Sequence, residues 1–370
     1  MLSKLKKYFI NTDFIMLGVA LSLAIIGVFA IYSAGYNPVT GTTDDFYKRQ
    51  LTWLSLGFIA FFVVSYVNYG KLIRFTPYIY IFGLILLTIV LILGHVKMGA
   101  QRWIGFGSFR IQPSEIFKII WVFSLGWLFM DFKGQRMGLF QIIKKSWMLI
   151  PPFLLVFLQP DLGTSLTYVA VWGLVVLILG VKRQVYLTAL LAVMIILPVG
   201  WVNLHDYQKN RVKVFLGIID DERGLGWHSE QSKVAIGSGG INGKGFLGGT
   251  QAHLNFLPES HTDFIFAVIN EEKGLIGGTV VISLFFVLLL RIFSISMRAT
   301  EPAGKIIAIA VGSYIFFQFV VNAGMTVGLV PIVGVPMPFV SYGGTSLLSF
   351  FVMLGLVNSI HLRRYTLADS

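Results

Sequence analysis

Long apolar runs joined by short polar connections dominate this chain. They fall at 14–34, 50–67, 72–95, 113–131, 146–159, 163–180, 184–203, 264–292, 304–329 and 342–361. A helix needs about 20 apolar residues to cross a bilayer, and it satisfies its own backbone hydrogen bonds while doing so. The pattern therefore predicts an all-α polytopic membrane protein of about ten transmembrane helices. The fifth and sixth runs are short and meet at QPDLGTS, 159–165, which predicts a tight helical hairpin. The long polar connection, 204–262, lies between the seventh and eighth helices. Nothing sets off a soluble domain and no internal repeat is visible, so residues 1–370 read as one membrane domain. The first run is long, follows Lys4, Lys6 and Lys7, and leads straight into another span, unlike a cleavable signal peptide.

Composition strengthens this picture. Hydrophobic residues make up 56% of the chain and charged residues 12%, about half the charge of a soluble domain. The net charge of +12 is first a topology signal, because short cytoplasmic loops collect Lys and Arg. With the N-terminus cytoplasmic, Lys71 and Arg74, Lys133 to Lys145, Lys182 and Arg183, Arg291 to Lys305, and Arg363 and Arg364 all fall inside. Few cations remain in the short outer loops. Both termini are expected to be cytoplasmic and the 204–262 loop extracytoplasmic. No basic surface with interleaved aromatics points to nucleic acid. The absence of cysteine excludes disulfides and thiol catalysis.

The candidate chemistry gathers on the outer side. In QRWIGFGSFRIQPSEIFKII, 101–120, Pro113 suits a first helical turn. Glu115 and Lys118, three apart, share a helix face. They read either as an intrahelical ion pair or, with Arg102, Trp103 and Arg110 close by, as part of a site for a phosphate bearing a sugar or lipid. Asp161 reads as the N-cap of the sixth span. Lys209, Arg211 and Lys213 read as a headgroup-binding patch or a pyrophosphate site. WHSEQSKVAIGS, 227–238, predicts a short amphipathic helix, and GGINGKGFLGGT, 239–250, reads as a phosphate cradle or as a turn-rich loop.

LPESHTDFIFAVINEEKG, 257–274, places Glu259, His261, Asp263, Glu271 and Glu272 on or beside one apolar element. Thr262 or Asp263 would serve as an N-cap. A cap needs one polar residue, however, and leaves the other acids unexplained. Glu271 and Glu272 cannot both face lipid, so they are expected to line a polar interior or to pair with cations such as Lys118 or Lys273. Ser260, His261 and Asp263 are too close in sequence to imply a hydrolytic triad, and the histidines are too scattered for a zinc site. The residues alone suggest glycosyl or phosphoryl transfer on a lipid carrier at the outer leaflet, with a carboxylate as base.

Five ordered motifs carry a resemblance: QRWIGFGSFRIQPSEIFK, QPDLGTS, QSKVAIGSGGINGKGFLGGTQ, LPESHTDFIFAVINEEKG and GVPMPFVSYGGTS. Together they resemble the SEDS family (shape, elongation, division and sporulation) over essentially the whole chain. The last motif and the HDYQ at 205–208 resemble its elongation-type branch rather than its division-type branch. The resemblance implies an inverting peptidoglycan glycosyltransferase of the bacterial cytoplasmic membrane. Such an enzyme polymerises lipid II, an undecaprenyl-pyrophosphate disaccharide-pentapeptide, beside a class B penicillin-binding protein and other elongation-complex membrane proteins. It implies Asp263 as the essential base, with Glu115 and Lys118 as catalytic partners. Arg102, Trp103, Lys209, Arg211, Glu259 and His261 would bind substrate. No metal ligand set stands out, and the chemistry leaves room for a divalent cation such as Mg or Mn. A lipid II flippase or a non-catalytic scaffold of the elongation complex is the competing reading.

Overall fold

A computed structural model describes residues 8–93, 95–97, 100–106, 109–132, 134–203, 206–219, 225–254, 256–257 and 259–366. Lys4, Lys6, Lys7, Lys133 and His205, and the side chain of Arg110, lie outside the described residues.

Helices form over every apolar run. They are α1 (Phe14–Ala34), α2 (Phe46–Tyr66), α3 (Thr76–Leu93), α4 (Pro113–Leu128), α5 (Leu139–Ser146), α6 (Ile150–Leu158), α7 (Leu162–Leu179) and α8 (Arg183–Asn203). The connection beyond α8 holds α9 (Asp206–Phe215), α10 (Leu225–Gly239) and α11 (Thr250–His253). Then follow α12 (Ile265–Met297), α13 (Pro302–Thr326) and α14 (Gly344–Thr366). Two small antiparallel sheets sit between helices. One pairs β1 (Tyr36–Asn37) with β2 (Thr42–Thr43). The other orders β3 (His95–Lys97), β4 (Ala100–Phe106) and β5 (Phe109–Ile111).

Among the described residues, seven helices are long and apolar enough to cross a membrane, or eight if α5 and α6, bent by 50°, form one span. The expectation of ten spans is therefore met in part. α4 runs only 16 residues because the β3–β5 hairpin occupies the chain before it, and Pro151 and Pro152 restart the helix at α6. The expected hairpin at 159–165 is present: α6 ends at Leu158, α7 begins at Leu162, and the two pack together.

The bundle is graded. α14 and α13 are the most enclosed spans, while α2 and α3 bury the smallest share of their residues, as lipid-facing helices must. α14 packs on α2, α13 on α7 and α4, and α12 on α1, α10 and α13. Close approach needs small residues: a Cβ on Gly27 of α1 would strike the Val340 backbone.

α12 is broken at Gly274, where φ 62° and ψ −161° suit only glycine. The break frees backbone groups that hydrocarbon cannot satisfy. The glycine run after α10 fills that role. Leu275 N–H donates to Gly240 C=O at 2.9 Å, Lys244 N–H to Glu271 C=O at 3.0 Å, and Gly245 N–H to Glu272 C=O at 3.0 Å. A Cβ at Gly243 would collide with the Glu272 backbone. Of the two sequence readings of 239–250, the structure supports the turn-rich one. These amides splice a broken helix instead of facing an anion.

Candidate active site

The break delivers two kinds of carboxylate. Glu271 and Glu272 lie just before Gly274 and are buried. Glu271 accepts from Lys244 Nζ at 2.6 Å, Thr250 N at 2.8 Å, Thr250 Oγ1 at 3.0 Å and Gln251 N at 3.2 Å. Glu272 accepts from Leu247 N at 3.1 Å and from the Ser33 hydroxyl. The cation expected for Glu271 is corrected to Lys244. Lys118 is held elsewhere, and Lys273 lies over the Phe246 ring within electrostatic reach of Glu272. Charge and donors are thus matched locally, which a buried carboxylate requires.

Asp263 is different. The helix cap is Phe264, with no side-chain capping bond, so the expected capping role of Thr262 or Asp263 is not what the structure shows. The Asp263 carboxylate accepts no hydrogen bond among the described residues. Its backbone is fixed instead. Its N–H donates to Glu259 C=O at 3.1 Å, and its own C=O accepts from Asn322 Nδ2 at 3.1 Å. Asn322 also donates to Val335 C=O at 2.8 Å, so one amide ties the acid to the 334–346 motif. Ser341 Oγ donates to Thr262 C=O at 2.7 Å, and Tyr342 N–H to His261 C=O at 2.9 Å. His261 stacks on Phe46 at 4.5 Å, which pins the segment to α2.

Crowding by protein and the nearby Glu259 and Asp161 carboxylates push the Asp263 carboxyl up from 3.8 to about 6, against the opposing pull of Arg211 and Arg102. The acid keeps partial solvent exposure. It is therefore a base of moderate strength at an open mouth, facing two guanidiniums.

Those cations come from different elements. Arg102 on β4 crosses to the α6–α7 corner, where it donates to Gln159 C=O at 3.3 Å and to Pro160 C=O. It also lies 3.7 Å from Asp161 Oδ1. Asp161 caps α7 as expected, accepting from Thr164 N at 3.1 Å, and it accepts from Gln112 Nε2 at 3.3 Å. Arg211 on α9 donates to Ile332 C=O at 2.9 Å. Beside this mouth, an apolar cavity opens between α7 and α13, lined by Leu166, Phe317, Val321, Val333 and Val335. A Cβ on Gly334 would sit 3.5 Å from Asp263 Oδ2. Acid, cations and apolar cavity thus share one corner.

Not every expected residue joins it. Lys209 donates back to Val202 C=O at 3.1 Å. Trp103, half-buried on β4, pairs across the hairpin with His95. Glu115 and Lys118 form a buried ion pair at 2.7 Å through both carboxylate oxygens, with Ser349 Oγ 3.5 Å away and the Phe350 ring beneath the ammonium. No hydrogen bond or ion pair links it to Asp263 among the described residues. Tyr168 donates to Ser114 C=O at 2.9 Å and lies within electrostatic reach of both Glu115 and Asp161. Among the described residues, no three His, Asp or Glu side chains are grouped to hold a metal ion. Sequence reasoning missed Asn322 and Lys244, because a lone Asn inside a span and a Lys in a glycine run carry no pattern.

With this geometry in view, the comparisons are decisive. Residues 13–366 match the family described as cell cycle proteins, which groups FtsW, RodA and SpoVE. The chain belongs to that family. It is 39% identical over 363 residues to peptidoglycan glycosyltransferase MrdB of Escherichia coli K12, covering 98% of this chain and 96% of that one. It is 30% identical to peptidoglycan glycosyltransferase RodA of Treponema pallidum, covering 95% and 98%. Among solved structures, it resembles a chain described in a study of how a peptidoglycan synthase complex coordinates polymerization and crosslinking. That match has a TM-score of 0.81 and 27% identity, over 96% of this chain and 98% of that chain. It shares the fold of RodA from Thermus thermophilus, with a TM-score of 0.69 and 24% identity, covering 96% and 98%.

Proposed function

We infer that this protein is a peptidoglycan glycosyltransferase of the elongation type, polymerising lipid II into β-1,4-linked glycan at the outer face of the cytoplasmic membrane. One observation carries the mechanism: Asp263 is held by its backbone while its carboxylate is left unspent before Arg102 and Arg211. Asp263 takes the proton from the acceptor sugar's 4-hydroxyl. The freed oxygen attacks the donor's anomeric carbon, and the bond from that carbon to the pyrophosphate oxygen breaks. Attack opposite the leaving group inverts the centre. Arg102 and Arg211 receive the charge of the departing lipid pyrophosphate. The apolar cavity beside Gly334 suits an isoprenoid stem.

In this reading, all ten apolar runs span the bilayer, both chain ends are cytoplasmic, and the 204–262 segment lies outside. A class B penicillin-binding protein accepts the new strand for crosslinking. Glu115 and Lys118 act by holding α4 under the site, and Trp103, Lys209, Glu259 and His261 line the approach. The test is polymerisation of labelled lipid II by purified protein in liposomes, with its penicillin-binding partner. Wild type is expected to give glycan ladders and a folded Asp263→Asn protein none. Normal ladders from that variant would overturn the assignment.

A further inference from the structure

α4 and α7 both begin at the active corner, where Gln112 meets Asp161. Their far ends are tied together by α5, which the polymerisation mechanism does not use. Met137 N–H donates to Gly180 C=O at 3.1 Å and Lys182 N–H to Met137 C=O at 3.0 Å, a short parallel bridge at the end of α7. α5 starts just after that bridge, at Leu139. Its last turn returns to the end of α4, where Lys145 Nζ donates to Leu128 C=O and lies 5.0 Å from the centre of the Phe129 ring. These two attachment points are level. Tyr168 of α7 donates to Ser114 C=O in the first turn of α4. Beyond that shared contact, Leu128 is about 21 Å along α4 and Gly180 about 18 Å along α7, at about 1.5 Å per residue. α5, about 12 Å long, joins the two points and so lies across the end of the bundle. It meets α6 at a 50° bend, which Tyr80 Oη of α3 fixes by donating to Met148 C=O at 2.7 Å.

The helix turns its apolar side chains away from the protein. It buries Ile142, while Phe140 is 80% exposed, Ile143 61% and Trp147, directly after it, 52%. Cations flank this face. Lys182 Cδ lies 3.9 Å from the Cβ position of Gly138, and Arg136 Cγ lies 3.9 Å from that of Gly180, so both side chains stand beside the bridge. Arg136, Lys144, Lys182 and Arg183 are exposed, and their side chains make no hydrogen bond or ion pair among the described residues. Asp131, within electrostatic reach of Lys145, is the one acid between Phe129 and Pro160. Joined to α6 as one straight span, α5 would carry Lys144 into hydrocarbon, which is costly. Lying flat, it puts aromatic and aliphatic side chains at the acyl boundary and ammonium groups at the headgroups.

We propose that α5 lies in the plane of the membrane surface on the side away from Asp263 and, with Arg136, Lys144, Lys182 and Arg183, forms a contact site for anionic phospholipid. Phe140, Ile143 and Trp147 enter the acyl boundary, and the cations stand among the lipid phosphates. α5 precedes the fifth apolar run, which enters the membrane through α6. Lipid held there fixes the depth of the far ends of α4 and α7, and through those helices the corner where Gln112 meets Asp161.

The chain has no cysteine, so single-cysteine labelling of the full protein in liposomes tests both parts. Spin labels on Phe140→Cys and Trp147→Cys report depth through collisions with oxygen and with a nickel chelate. Equal, shallow depths are expected. Depths about 10 Å apart would mean that α5 runs along the membrane normal and would overturn the proposal. Free access of the chelate to both labels would make α5 a water-facing surface, open to a protein partner, and would overturn it too. For the lipid, a bimane on Leu139→Cys is quenched by doxyl-labelled phosphatidylglycerol or by doxyl-labelled phosphatidylcholine. Phosphatidylglycerol should gather at the probe in preference, roughly fivefold for each cation engaged. Arg136→Gln with Lys182→Gln should shrink that preference at a matched melting temperature. Equal quenching by the two lipids, or a preference undiminished in the double variant, would overturn the headgroup assignment.

Discussion

Asp263 and Glu271 stand eight residues apart, both acidic, both at the start of the broken helix α12. Glu271 has four donor groups around it, one of them a lysine. Asp263 has no hydrogen-bond donor on its carboxylate among the described residues, although its backbone is held on both sides. Low-dielectric surroundings make an unsatisfied charge costly, so a satisfied acid is architecture and an unsatisfied one is an instrument. The contrast separates the two roles more cleanly than either residue type or depth in the membrane.

The largest expected effect tests the instrument. Asp263→Asn keeps the shape and removes the base, and polymerisation should fall by about 10²–10⁴-fold while the melting temperature holds or rises. Glu271→Ala should reverse that pattern. It strands Lys244 and the Thr250 and Gln251 amides in a buried corner, and losing one partner of a buried pair costs about 3–5 kcal/mol. Differential scanning fluorimetry in detergent should show a large drop in melting temperature. Activity measured below that melting point should survive better than in the Asp263 variant. Equal stability losses in the two proteins would erase the distinction.

Much of this was legible in the sequence. The apolar runs give the bundle, and LPESHTDF marks the acid before α12 enters the membrane. Asp161 after Pro160 reads correctly as a cap. The partner of Glu271 was not legible, because Lys244 reaches it only after the glycine run folds back across the break at Gly274. Nor was the isolation of the Glu115–Lys118 pair from Asp263. Spacing puts those two side chains on one face but does not say what that face meets. Local patterns give the elements, while contacts between distant segments decide which charge is spent.

A smaller effect follows from the environment of Asp263. Its carboxyl is raised from 3.8 to about 6, first by burial and then by Glu259. Between those two values the folded chain keeps a proton that the unfolded chain has released. The contribution to stability is therefore full below 3.8 and lost as pH rises through 6. Activity runs the other way, because the base must be ionised. Initial rates of glycan synthesis should fall about tenfold per pH unit below pH 6, and Asp263→Asn should lose the stability slope across the same window. A flat rate profile from pH 5 to 7, about one unit either side of the Asp263 value, would remove Asp263 from proton transfer.

The smallest effect is the sharpest test of cause. Glu259 is exposed; among the described residues its carboxylate accepts a hydrogen bond only from Thr262 Oγ1, and it lies 4.0 Å from the stacked His261 ring. Its negative charge disfavours ionisation of Asp263. Glu259→Gln removes that charge without disturbing the Asn322 or Ser341 anchors. Asp263 should then ionise more readily, and the acidic limb of the rate profile should move to lower pH by roughly half a pH unit, a modest step because water screens an exposed charge. The plateau rate above the limb should change little if Glu259 acts only through its field. A fallen plateau with an unmoved limb would mean instead that Glu259 touches the substrate, and that burial alone sets the basicity of Asp263.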